Sequence, residues 1–529
     1  MKRILTLAVA LTMTATAAWA QIKLGDGQLS GSFETNTIAY INDNGIDTPA
    51  PDDHFGSNNY LKAEYTYGRF SAGLQAEGYL PALQGFEVGS MPDQKKFCIA
   101  TKYIRWQDKN YSVMIGDIFE QFGNGLILRS FEDRQLGFNN SIEGVRASYD
   151  FGSYVKVKAL YGRPRLYTNY ADSWVRGGDL SLSLADIFGW NNGLLELEGS
   201  YVNRYERSET AEFMELSPNV NLFSGRLNLG YKGFAMRGEY VAKSEDLSSG
   251  SAGVGKGQAA FLELGYSKSG FSASGTFRML DRMATQISLD GKGSCNTINY
   301  LPSLTRQYTY MLANLEPYQV NADGELAGQI DLYYSLRNKS DRTKHWLFHA
   351  NFSTAYTLRA SQSASGNREK LWQELNVDVE RQWNRTWKTS LLYSYQEWNR
   401  THGAKHRTYV SHVFVGDATC KLDRKKSLRF ELQYLYSADY QGDWVAALFE
   451  FNLAPHWSFF VQDMYNIEAT QHNDYKKRNY YNGGISYTHS RTRVQLSYGR
   501  NREGYICSGG VCRFSPAYSG IGLSLTSSF

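Results

Sequence analysis

Along most of the chain, apolar residues alternate with polar ones at a period of two. In Tyr154-Val155-Lys156-Val157-Lys158-Ala159-Leu160-Tyr161, Val155, Val157, Ala159 and Tyr161 share one face, and Lys156 and Lys158 share the other. Leu195, Leu197 and Tyr201 oppose Glu196, Glu198 and Ser200, and Leu227, Leu229 and Tyr231 oppose Arg226 and Asn228. Leu428, Phe430, Leu432 and Tyr434 oppose Arg429, Glu431 and Gln433. A β-strand points successive side chains to opposite faces, so each stretch predicts a strand with one apolar and one polar side.

The connections carry a second rhythm. Short turns recur at 68–69, 107–110, 152–153, 232–233, 268–270, 384–386, 423–425, 455–456 and 489–491. Longer polar stretches lie between them at 42–58, 162–174, 207–217, 244–257, 360–369 and 467–478. This alternation is the pattern of an up-and-down barrel with tight turns at one rim and long loops at the other. All 10 prolines fall in or at the margins of the inferred connections, as expected of a residue that cannot donate to a ladder. A repeat of ~20 residues suits tilted strands of ~9–11 residues that cross a bilayer. The expected fold is all-β: a transmembrane antiparallel up-and-down barrel of about 24 strands.

Composition agrees. The mean hydropathy of −0.46 taken alone suggests a soluble protein, but 14% of residues are aromatic, with 38 Tyr, and Gly reaches 49. In a transmembrane barrel half of each strand faces a wet lumen, and Tyr and Trp crowd the two interfaces. No run of ~20 apolar residues offers a spanning helix. A soluble sandwich or propeller would also alternate, but it would not show the short–long rhythm, and no blade repeat is present. The net charge of +4 over 529 residues gives no footprint for nucleic acid. Residues 1–20, with Lys2 and Arg3, a short apolar run and Ala18-Trp19-Ala20, read as a signal peptide. The expected mature product is a single barrel domain, 21–529, exported to the cell outer membrane of a Gram-negative bacterium. The closing stretch from Ile521 to Phe529 alternates again, and it resembles the signature that outer-membrane barrels present to their assembly machinery. Outer-membrane lipid and that machinery are therefore expected partners.

So wide a barrel leaves a channel or needs filling. Two segments suit a polar lumen. The first runs from Gly116 through Asp117, Glu120, Gln121 and Arg129 to Glu132, Arg134 and Ser141, with acids, arginines and aromatics interleaved. The second, in the long connection near 281–327, carries Arg306, Tyr308, Tyr310 and Tyr318. A connection of that length is functional or disordered, and its Tyr, Leu and Arg content argues against disorder. An ordinary surface loop is the competing reading of both. The inferred inner faces carry both charge signs, among them Lys62, Lys158, Arg226, Arg278 and Arg429 against Glu64, Glu198, Glu239, Glu374, Asp378, Glu431 and Glu450. That mixture does not suit a strongly ion-selective pore.

Cys507 and Cys512 flank Ser508-Gly509-Gly510-Val511, a spacing that suits a small disulfide loop outside the cytoplasm. Cys98 and Cys420 fall in strands, and Cys295 in the longest loop. No Gly-x-Ser-x-Gly elbow, His-Glu-x-x-His or phosphate loop is present. His349, His412 and His489 have no serine partner in the sequence pattern. No enzymatic activity, cofactor or metal is expected.

The stretches GDIFEQFGNGLILR, LPSLTRQYTY with LEPY, and GGVCR with LTSSF resemble an outer-membrane β-barrel family of unknown function, typical of Bacteroidota. The resemblance implies a signal peptide and an outer-membrane barrel, and carries over no site residues. The function expected is a pore or transport channel for small polar solutes, gated or narrowed by its own loops. The alternative is a sealed structural or binding barrel, a subunit of a larger secretion or export complex with other envelope proteins.

Overall fold

The computed structural model describes residues 22–529 apart from 208–214, 248–252, 339, 342, 440–441, 469–477 and 509. The expected signal peptide, and parts of the long stretches at 207–217, 244–257 and 467–478, lie outside the described residues. Among the described residues, 24 long strands form one closed antiparallel barrel. Each strand pairs with the next in sequence. The first, Gly27–Ile41, also pairs with the last, Tyr518–Ser528, from Ser32↔Ser528 to Ile41↔Ser519. Phe529 extends this ladder, exchanging backbone hydrogen bonds with Gly31 at 2.9 and 3.1 Å. The sheet therefore has no free edge, which is the condition for spanning lipid with strands.

The period of two decides which side chains meet lipid. In strand Lys426–Tyr436, Phe430, Leu432, Tyr434 and Tyr436 point outward and are exposed, while Glu431, Gln433 and Leu435 are buried inside. Aromatic groups mark both rims: Phe70 with Trp106 and Trp457 with Tyr487 near the short turns, Tyr161 with Trp174 and Tyr201 with Phe223 toward the long loops. These are the girdles of a transmembrane barrel. The short turns read from the sequence coincide with connections between strands, three of them (107–110, 268–270 and 489–491) starting on the last residue of a strand. Pro164 differs: it lies inside strand Val155–Leu166. Pairing with strand Trp174–Ser183 stops at Gly162, so the proline sits where no donor is needed on that side.

The interior is filled unevenly. In strand Asn219–Tyr231 the inward residues Val220, Leu222, Ser224 and Arg226 are buried, but Asn228 and Gly230, nearer the short turn, are not. In strand Lys370–Gln382, Trp372, Glu374 and Asn376 are buried, but Asp378 and Glu380 are only half-buried. The half of the barrel beside the long loops is largely filled, with cavities left between the filling and the wall, and the half beside the short turns is an open cup. Register shifts in the ladder lie toward the long-loop rim, between Lys243 and Asp246 and between Ala355 and Tyr356, where bulges re-aim a strand end.

Replacing Leu432 by Arg puts a charge on the lipid face. We expect it to lower folding stability by about 2–4 kcal/mol, measured by urea titration of the heat-modifiable band in vesicles. Lys62→Gln, in the open cup, is expected to leave stability within about 0.5 kcal/mol.

Candidate functional site

The candidate site is built by two inserted segments and the wall they leave uncovered. Residues 119–141 follow strand Tyr111–Ile118, and residues 282–323 follow strand Phe271–Asp281. Both turn inward. Phe122, Leu126, Ile127 and Leu128 pack with Met283 and Leu301 against the inward side chains Val175, Val202, Val220, Leu222, Val241 and Leu280. Across the lumen, Leu312, Ala313 and Leu315 pack against Leu392, Val413, Val415, Leu435, Trp444 and Met464. Between these arcs, Leu304 and Tyr318 close on Ala327, Ala355, Leu371 and Trp372. Each buried Leu, Val or Phe removes apolar area worth roughly 1.5–3 kcal/mol, so these contacts fix the segments to the wall. They are also knit to each other. Arg129 N donates to the Ile298 carbonyl and Tyr300 N to the Gly125 carbonyl, both at 2.9 Å. Asn299 Nδ2 donates to the Met283 carbonyl at 2.7 Å and to the Leu126 carbonyl at 3.3 Å.

The residues singled out by the sequence fall at these joints. Asp117 is buried at the end of its strand and accepts from Lys102 N at 2.9 Å, Tyr170 Oη at 2.8 Å and Ser141 Oγ at 3.2 Å. Glu120 holds Arg146 at 2.7 Å and Lys158 at 3.1 Å on the wall. Gln121 is exposed; its side chain donates to the Gly123 carbonyl at 2.8 Å and its backbone pairs with Arg129. The Arg129 guanidinium lies 3.6 Å from the centre of the Tyr300 ring. Arg134 pairs with Glu34 at 2.8 Å and Glu132 at 3.3 Å. Arg306 N donates to Glu374 at 2.6 Å, Tyr308 Oη to Asp378 at 3.1 Å, and Tyr310 stacks on Tyr308. Tyr318 Oη donates to Glu325 at 2.6 Å, and Glu325 holds the buried Arg278 at 2.8 Å. They form several separate clusters, not one constellation. His349 is clamped between Asp331 and Asp378, and among the described residues no group of His, Cys, Asp and Glu is placed to hold a metal.

Two further insertions were not legible as such. The connection 80–96 and the hairpin of Gly504–Ser508 with Val511–Ser515 both turn inward and bury Val88 and Val511 with Leu136, Phe138, Tyr167 and Cys295. Cys507 and Cys512 are joined in that hairpin, with Sγ atoms 2.05 Å apart; Cys98, Cys295 and Cys420 carry free thiols.

Where the barrel closes, the inserted segments stand off from the wall. A cavity of about 520 Å³ lies there, between the first and last strands on one side and Leu83, Gln84, Phe86, Arg134, Gln135 and Arg513 on the other. Its wall is made of small and amide side chains: Asn36, Asn58, Asn482, Ser497 and Ser524, with Gly499, Gly520 and Gly522. Gly499 faces Gly520 across the ladder. A Cβ at Gly499 would come within 2.4 Å of the Tyr481 carbonyl, and one at Gly520 within 2.5 Å of the Ala39 carbonyl. The wall bends sharply at this point, and glycine permits it. Tyr40, Tyr60 and Tyr518 add phenols. The cavity thus joins mid-wall residues such as Glu34 and Gln495 to the loop-end residues Tyr40, Asn501 and Ile506.

Asn58, Gln84, Asn482 and Arg513 line the cavity, while Asn58 Nδ2, Gln84 Oε1, Asn482 Oδ1 and Arg513 Nη1 are enclosed behind its surface without a protein partner. Arg513 is 6% exposed. Its Nε donates to the Gln135 carbonyl at 3.2 Å, and its guanidinium lies 4.1 Å from the centre of the Phe86 ring. Burial pushes its pKa below the usual guanidinium value, outweighing the opposing pull of Tyr518, Tyr40, Cys295 and Glu87.

The rim above the cavity is latched by Asp43. It accepts from Arg500 Nε and Nη2, both at 2.7 Å, from Ser519 Oγ at 2.5 Å and from Gly45 N at 2.8 Å. The Arg500 hydrogen bonds hold the Asp43 carboxyl far below its ordinary value. The folded pKa lies below the unfolded one, so this latch contributes fully above the unfolded value near ~4. Its contribution is lost as pH falls through the folded value. Stability measured from pH 7 down to 2 is expected to drop in acid, and Asp43→Asn is expected to flatten the part due to this latch.

No curated protein matches the chain. Among solved structures it is similar to the translocation pore of the P pilus usher PapC, with 10% identity over 94% of this chain and 99% of that one and a TM-score of 0.46. It is similar also to the siderophore receptor PirA from Pseudomonas aeruginosa, at 10% identity over 95% of this chain and 80% of that one, TM-score 0.44. The copper transporter OprC matches at 9% identity over 96% of this chain and 81% of that one, TM-score 0.41. A family model described as a family of unknown function, DUF6029, matches residues 1–529, and the chain belongs to that family.

Proposed function

We propose that this protein is an outer-membrane channel for small polar solutes, narrowed by its own inserted segments, with the cavity along the barrel closure as the solute route. In this reading the signal peptide exports the chain, the long loops face outside and the open cup faces the periplasm. The observation that carries it is the contrast between wall arcs. Apolar clusters bind the inserted segments to the wall on two arcs, while the closure keeps a cavity of about 520 Å³ with many polar lining groups and the arc at Trp372 and Trp398 a smaller one of about 370 Å³. A dry apolar contact has no place for a polar solute, whereas amides, hydroxyls and phenols can exchange hydrogen bonds with one as it passes. The ion pairs that fasten the inserted segments, such as Glu120 with Arg146 and Lys158, then serve as stiffening and not as a selectivity filter.

The second reading is a sealed barrel that serves as a subunit of a larger envelope complex. Its support is the filling of the loop-side half. Planar-bilayer recording separates the two. The channel reading expects small, stable current steps; Ser497→Trp, which fills the closure cavity, is expected to lower them by half or more. Deleting Asn299–Tyr318 in a correctly folded variant is expected to raise conductance. A folded, heat-modifiable protein that passes no current, before and after that deletion, would rule out the channel, and co-purification with other envelope proteins in mild detergent would then be the next measurement.

A further inference from the structure

The cavity at the barrel closure is not neutral in its demands. Arg134 lines it but is matched by both Glu34 and Glu132. Arg513 lines it as well, and among the described residues no carboxylate lies within ion-pair distance of it. Tyr40 and Tyr518 face Arg513, and Glu87 acts on it from further off. Glu87 spends its carboxylate on Tyr167 Oη at 2.7 Å and on Ser294 N and Oγ at 3.0 and 3.1 Å. A buried guanidinium is costly unless an anion meets it. Its charge matches a carboxylate, which forms a charge-assisted hydrogen bond with a guanidinium. Around it the cavity wall carries amides, hydroxyls and phenols, among them Asn36, Ser497, Ser524 and Tyr40. Such a mixture suits a molecule that carries hydroxyl or amide groups beside its charge.

We propose that this cavity binds a small organic acid through its carboxylate, with Arg513 as the counter-charge and the amides, hydroxyls and phenols of the wall meeting hydroxyl or amide groups on the same molecule. The volume of about 520 Å³ is within the range of pockets that enclose such solutes. The proposal rests on reading the closure cavity as the solute site, but binding does not require conduction.

The test uses the full-length barrel in detergent, titrated calorimetrically with glucuronate, with glucose as the uncharged counterpart of the same ring, and with inorganic phosphate. Glucuronate is expected to bind and glucose to bind at least tenfold more weakly, the difference one charge-assisted hydrogen bond makes. Arg513→Gln should weaken glucuronate by roughly tenfold or more, and Arg513→Lys should recover part of the loss. Asn58→Asp retains the acceptor that Leu83 N uses and adds a negative charge, so it should abolish binding even if the arginine variants fold poorly. Equal binding of glucose and glucuronate, unchanged binding in Arg513→Gln, or no binding of glucuronate would overturn the proposal. Phosphate binding more tightly than glucuronate would also overturn it, assigning the site to phosphoryl groups. Current recorded on the same preparation keeps the two readings apart. A barrel that binds glucuronate through Arg513 and passes no current retains the site and loses the channel; one that conducts and ignores glucuronate does the reverse.

Discussion

Lipid offers no hydrogen-bond partner to a backbone, and every other feature of this molecule follows from how that constraint is met. The first strand must close on the last, and it does so over ten registered pairs, continued by the terminal residue bonding to Gly31. Closing 24 strands fixes a lumen far too wide for wall side chains alone to fill. The interior therefore has to be furnished by connections, and among the described residues at least four of them turn inward. They come from 80–96, 119–141, 282–323 and the hairpin that carries Cys507 and Cys512.

The inserted segments solve two problems at once. Their apolar residues need cover, and the inward faces of the loop-side strands supply it through Val202, Val220, Leu222, Val241, Val413 and Leu435. Their polar backbone needs partners. Wall side chains meet much of that need: Gln433 accepts from Leu312 N at 2.9 Å, and Gln396 donates to the Ala313 carbonyl at 2.8 Å. Buried guanidinium groups come with carboxylates, such as Arg226 with Asp179 and Glu198, and Arg204 with Asp246. Within that regime a guanidinium such as Arg513, buried without a carboxylate, is the exception that marks a place for something else.

Strands and turns were legible because a half-wet, half-lipid wall enforces a period of two. The same rule explains what was missed. Near the long loops the inner face packs against inserted segments and turns apolar, so the alternation fades: Leu222 points inward beside the outward Phe223, and Leu435 inward between Tyr434 and Tyr436. That loss of contrast, read strand by strand, was the available signal for a filled half. Asp117, Glu120, Arg129, Arg134 and Arg306 were recognisable because charges beside glycines and aromatics are unusual in a free loop. The closure cavity was harder to see. Its signature is small inward residues, Ser497, Gly520, Gly522 and Ser524, which in a strand read merely as the polar face. Arg513 and Asn58 meet there from positions 455 residues apart, and no local pattern links them.

Each inserted segment is held by the wall at both of its ends, since residues 119–141 and 282–323 both leave one strand and enter the next. Such a filling cannot be expelled as a body or drawn out by a pull on one terminus, as a separate domain threaded into the barrel could be. Any widening has to come from a slip within the leash of the two anchors, with the neighbouring segment moving too because Asn299 and Asn140 tie them together. The same tether makes assembly sequential. Segments so far apart in the chain can lock only after the intervening strands have brought the wall around them, so the interior sets last, like a keystone dropped into a finished ring.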